Sequence, residues 1–120
     1  MAYLSTNEVK EIRNEISKVL TSKDGFKISV SRYHYSGVTV KVLKSPLAFS
    51  SADKSINEFR INYLEDANER LVFQLIDKAI NRAVGVSYDR NAGDMGADYS
   101  NFNYYKDYRI GNYDKPCLFI

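Results

Sequence analysis

The chain has no tryptophan, one cysteine, one histidine and only two prolines. A lone cysteine, Cys117, excludes an internal disulfide and fits a reducing compartment. With one histidine (His34) beside it, the chain cannot supply the four ligands of a structural zinc site. A Cys–His nucleophile would need the turn carrying His34 to meet the C-terminal strand carrying Cys117. His34 reads as an exposed turn residue and Cys117, in an apolar run, as a buried inert thiol. There is no Gly-x-Ser-x-Gly elbow, and no glycine-rich phosphate loop follows a strand. No segment approaches about 18 consecutive apolar residues, and the N-terminus lacks an apolar run of signal length. That predicts a cytoplasmic chain with no membrane partner. No cofactor or metal is expected, and the inventory points away from an enzyme.

Charge of one sign is also scarce: the net value is +2. Its distribution says more than its size. Residues 1–44 hold eight Lys/Arg against four Asp/Glu, residues 45–85 five against six, and residues 86–120 four against five. The positive excess therefore sits in the N-terminal third, and the bland account of it is a solvated, mixed-charge surface.

What is present fits one α+β domain spanning 1–120. Ser5 and Glu8 form a capping box, and Val9, Ile12, Ile16, Val19 and Leu20 recur at helical spacing, predicting a helix from about Thr6 to Thr21. Phe26, Ile28 and Val30, then Val38, Val40 and Val42, alternate with polar residues. They predict a β-hairpin whose tip, Tyr33 to Gly37, uses Gly37 for a positive φ. Its outer face would carry Lys27 and Lys41. Ser45-Pro46 ends the second strand, and 47–56 reads as a polar surface loop. Phe59, Ile61 and Tyr63 alternate with Arg60 and Asn62, predicting a third strand. Asp66 to Glu69 caps a second helix, Ala67 to Val84, closed by Gly85. Tyr104 to Ile110 alternates again, and Cys117 to Ile120 closes the chain in a final hairpin. The expected order is α-β-β-β-α-loop-β-β: an antiparallel sheet of four to five strands with both helices on one face.

The last third holds six of the ten tyrosines and five aspartates. Asp89, Asn91 and Gly93 begin like a calcium loop, but Gly93 and Asp94 stand at its fifth and sixth positions and Ser100 at its twelfth, where glutamate is required. Asp89, Asp94 and Asp98 are better suited to turn hydrogen bonds. An irregular stretch of Gly, Asn, Asp, Ser and Tyr has the composition of a binding loop. It also suits a loop wrapped over the scaffold, and the two readings are compatible. As a binding loop it offers Tyr99, Phe102, Tyr104 and Tyr105 as anchors, with Lys27, Lys41 and Arg60 facing acidic rims.

Nucleic acid is the second choice of partner. The order α-β-β-β-α over residues 6–84 matches a double-stranded-RNA-binding domain, but Asp66 and Glu69 would repel phosphate where that module places cations. A stacking platform of Tyr33, Tyr35 and Tyr63 beside Lys27, Lys41 and Arg60 is the other route, against packing roles for the same rings.

Three stretches, YLSTNEVKEIRNEI, FKISVSRYHYSGVTVKV and YDRNAGDMGADYSNFNYYKDYRIGNYDKP, resemble a small domain associated with large polyvalent proteins of phages and plasmids. The resemblance covers most of the chain and departs most over residues 45–60. It implies a mobile-element origin, and with it a phage or plasmid protein that inhibits host defence, CRISPR–Cas first, by occluding a host defence protein or ribonucleoprotein complex. It carries over no catalytic residues.

Overall fold

A computed structural model describes residues 4–33, 36–85, 87, 104–112 and 115–119. Helix α1 is Thr6–Val19 and helix α2 is Ala67–Val84. Both start as their caps dictate. The Ser5 hydroxyl accepts the Glu8 amide at 3.1 Å while the Ser5 amide donates to the Glu8 carboxylate at 3.0 Å. Asp66 accepts the Asn68 and Glu69 amides at 2.8 and 3.0 Å. Such caps satisfy amides that have no partner inside the helix. Helix α1 ends two residues before the expected Thr21, and a single 3-10 turn, Ser22–Asp24, carries the chain to Gly25 at φ 106°.

Five strands follow: β1 (Lys27–Tyr33), β2 (Gly37–Ser45), β3 (Lys54–Ile56), β4 (Tyr105–Ile110) and β5 (Leu118–Phe119). They form one sheet in the order β1-β2-β4-β3, with β5 also on β2. The β1–β2 hairpin is antiparallel as expected, with Val30 opposite Val40 and Ser31 opposite Thr39. The sheet as a whole is mixed, which corrects the antiparallel expectation. Strand β4 returns after α2 and runs parallel to β2, with Val40 opposite Tyr108. Alternation has a period of two in either direction, so it cannot distinguish the two pairings.

Two further expectations are overturned. Residues Glu58–Tyr63 form a 3-10 helix, not a strand. The Asn57 side chain accepts the Phe59 amide at 2.9 Å and starts that turn. Only Ile61 of the alternating trio is buried, while Phe59 and Tyr63 are 54% and 80% exposed. The strand lies earlier, at β3, inside the stretch expected to be loop. Nor do β4 and β5 form a hairpin. Val42 pairs with Ile110 and Lys44 with Leu118, so β5 resumes the track of β4 along β2.

One face of the sheet is covered. Val9, Ile12 and Ile16 of α1 and Val72, Phe73, Ile76, Ala79 and Ile80 of α2 are buried with Val30, Val38, Val40, Val42, Tyr108 and Ile110. Each large apolar side chain there contributes about 1.5–3 kcal/mol. The Phe73 and Tyr108 rings lie 5.7 Å apart across the helix–sheet interface.

The loop before β3 is tied to the start of α2. Glu69, fully buried, accepts the Ser50 amide and hydroxyl at 3.0 and 2.5 Å on one oxygen, and its other oxygen meets the Lys54 ammonium at 2.6 Å. Asn68 donates to the Ala48 carbonyl at 2.9 Å.

Candidate binding surface

The face of the sheet away from the helices is built in rows set by register. Tyr33, Gly37 and Tyr105 form the first row, Ser31, Thr39 and Asp107 the second, and Ser29, Lys41, Arg109 and Ser55 the third. Tyr33 and Tyr105 are 48% and 39% exposed and flank a residue with no side chain. Gly37 itself is buried between them. Gly37 is required for closeness and not for the positive φ expected of it. A Cβ there would lie 2.5 Å from the Tyr105 carbonyl oxygen.

Charges on this face are balanced. Arg109 meets Asp53 at 2.5 Å and Ser55 at 3.1 Å. Lys41, half-buried, donates to the Asn112 side chain at 3.1 Å, and the Thr39 hydroxyl donates to Asp107 at 3.4 Å. A balanced face with two exposed phenol rings suits a protein surface better than a phosphate backbone.

The remaining sequence candidates scatter. Lys27 is exposed, at the far end of β1 from Tyr33. Arg60 lies on the 3-10 helix with Tyr63, not on the sheet, so the stacking platform is not assembled on one face. Tyr104 is 2% exposed and its hydroxyl donates to the Gly85 carbonyl at 2.6 Å, which removes it as an anchor. Tyr99, Phe102, His34, Tyr35, and the Asp89, Asp94 and Asp98 set lie outside the described residues. Cys117 is buried, and burial pushes its thiol up to about 11. Among the described residues no group of three His, Cys, Asp or Glu could hold a metal ion, and no helix is long and apolar enough to cross a membrane.

A polar cluster lies on the opposite, helix-covered face. The Lys106 side chain, 2% exposed, reaches Asp77 and Asn81 of α2, each at 2.8 Å. The Tyr108 hydroxyl donates to Asp77 at 2.6 Å, and Ser87 donates to Glu58 at 2.8 Å. Burial, with the Asp77 charge second, holds the Tyr104 and Tyr108 phenols above their ordinary range. Burial likewise raises the Glu58 carboxyl. Lys106 shares the register of Tyr108 and Ile110, opposite Val38 of β2. Its carboxylate partner, on an element 29 residues away in sequence, was not legible.

No family model, curated protein or solved structure matches this chain.

Proposed function

We propose that this chain is a non-enzymatic phage or plasmid protein that inhibits a host defence component, CRISPR–Cas first, by covering part of its surface. The observation that carries the reading is the exposed Tyr33–Gly37–Tyr105 row on a charge-balanced sheet face. Tyrosine supplies a large, stiff contact area at small entropic cost. A stable complex buries about 800 Å² on each partner, so the contact would extend beyond this row to the rim of the sheet. The sequence resemblance supplies the biological class.

The test is capture of purified host defence complexes by the tagged chain. Tyr33→Ala with Tyr105→Ala should abolish capture while leaving the circular dichroism unchanged. Capture that survives the double variant would place the contact elsewhere. Capture of no defence complex by the native chain would remove the reading.

The alternative is a nucleic-acid-binding module. Six of the eight cations of residues 1–44 lie on α1, the turn after it and β1, and support it. It predicts affinity that falls steeply with salt as phosphates release counterions. Salt-independent binding, or none, eliminates it.

A further inference from the structure

Strand β1 ends the sheet on one side, and among the described residues no strand pairs with its outer edge. Antiparallel pairing alternates, so residues that do not exchange bonds with β2 point their N–H and C=O outward. Val30 is such a residue, because its carbonyl accepts the Arg13 guanidinium from α1 at 2.7 Å. Ile28 shares its register, whereas Ser29 and Ser31 pair inward with Lys41 and Thr39.

A groove runs along this edge between α1 and β1, in two stretches of about 540 and 380 Å³ that meet at Arg13 and Val30. Its walls include Ile16, Leu20, Phe26, Ile28 and Val30, and its charged lining is Lys10, Arg13, Lys23, Lys27 and Arg32. No aspartate or glutamate lines either stretch. The positive excess of residues 1–44 is thus gathered at an open strand edge.

We propose that the outer edge of β1 is a docking site for an extended acidic segment of a partner protein, which adds to the sheet as a further strand. Main-chain bonds to an exposed edge provide affinity, and alternate side chains provide selectivity. Apolar residues of the segment enter the groove, and its carboxylates meet the cationic rim. Arg13 gives the edge its selectivity. An incoming strand must take the Val30 carbonyl from the guanidinium, and a carboxylate on that strand is the replacement partner. A second copy of this chain is disfavoured, because antiparallel pairing about Val30 would set Arg32 of one copy opposite Ile28, one residue from Lys27 of the other, and bring two cationic rims together. Single-stranded nucleic acid finds rim charge but no exposed ring in the groove for its bases. The proposal does not depend on the tyrosine row or on a defence target.

The test uses the full chain and short labelled peptides. One alternates valine with glutamate, one valine with lysine, and a third is the acidic peptide interrupted by proline, which cannot donate to a ladder. Binding is read by anisotropy and amide exchange by NMR. The acidic peptide should bind and slow exchange at Ile28 and Val30, leaving the already bonded Ser29 and Ser31 unchanged. Lys23→Glu with Lys27→Glu, both at exposed positions, should weaken it about tenfold or more. Arg13→Ala should narrow the preference for the acidic over an uncharged valine–serine peptide. Equal binding of the proline-interrupted peptide would reduce the effect to bulk charge and overturn the proposal. So would an oligonucleotide that competes without slowing those amides, which would favour nucleic acid. Protection of Ile28 and Val30 in a sedimenting dimer without peptide would assign the edge to a second copy and also overturn it.

Discussion

Lys106 and Asp77 meet at 2.8 Å beneath the sheet, the lysine side chain 2% exposed and the aspartate 29%. The pair joins β4 to α2, and the Tyr108 hydroxyl closes on the same carboxylate. Burying charge is costly, so this contact stabilises only while both partners remain. Asn81 gives the ammonium a second acceptor but no counter-charge.

Removing one partner should therefore be costly. Asp77→Ala leaves a buried ammonium and a buried phenol short of their shared acceptor. Urea unfolding should show a loss of about 3 kcal/mol, the low end of the range for a broken buried pair, since Asp77 keeps some solvent. Adding Lys106→Met should recover part of that loss. A double-mutant cycle should return a coupling of about 1–3 kcal/mol. Strictly additive losses would show that the two groups do not interact.

Glu58 should make the fold more stable in mild acid. Its carboxyl is held above its ordinary value of 4.5, chiefly by burial. The folded chain therefore binds the proton more readily than the unfolded chain. The resulting stability is fully present below the unfolded value and is lost as pH rises through the folded one. Glu58→Gln keeps an acceptor for Ser87 and removes the ionisation. It should be more stable than the native chain at pH 7 and equal to it below the unfolded value. A variant less stable at neutral pH would mean that attraction to Lys106 outweighs desolvation.

The parts legible in the sequence are those whose cause is local. Ser5 with Glu8, Asp66 with Glu69, and the apolar stripes mark both helices because caps and period lie within a few residues. The β1–β2 hairpin is legible for the same reason. Phe59, Ile61 and Tyr63 misled because a 3-10 helix can bury one residue of an alternating trio and expose its neighbours. Strand β3 has three residues, too few to show alternation. The direction of β4 depends on where α2 delivers the chain, which no local pattern records. The candidate surface fared similarly. Tyr105 was nameable from composition, but its place across Gly37 from Tyr33 is a matter of register between three strands.

Gly37 carries that register, and enlarging it should separate β2 from β4. An alanine Cβ would meet backbone 2.5 Å away at Tyr105, and backbone cannot swing aside as a flexible side chain can. Gly37→Ala should lower stability by about 2 kcal/mol, within the range for overpacking. It should also displace Tyr105 resonances more than those of α1. Gly85→Ala serves as the comparison. That site has φ 89° and ψ 179° with open space around it, so its cost, about 1–3 kcal/mol, is backbone strain alone and displaces no neighbouring strand. If Gly37→Ala left both the stability and the Tyr105 resonances unchanged, the two strands would not be packed as closely as this.

Cys117 reports whether the C-terminal strand stays seated. The residue is buried, and its amide donates to the Ala52 carbonyl at 2.7 Å, so a reagent reaches the sulfur only when 115–119 lifts away. Burial also pushes the thiol from 9.0 to about 11. At pH 8 the thiolate is then on the order of one molecule in a thousand, and labelling by a disulfide reagent should be about a hundredfold slower than for an exposed thiol. The sign of the linkage follows. The unfolded chain loses its proton first as pH rises, so the stability due to this group is full below 9.0 and drains away toward 11. Gly111 supplies the control. Its φ is 79°, and a Cβ there would sit 2.5 Å from the same Ala52 carbonyl oxygen, so Gly111→Ala should unseat the segment. Labelling should accelerate at least tenfold for a lost contact of about 1.4 kcal/mol, with helical circular dichroism preserved because α1 and α2 are not involved. Fast labelling of the native chain would show that β5 does not hold its place beside β2, and unchanged labelling of Gly111→Ala would show that Cys117 is protected by something other than the contact at Ala52.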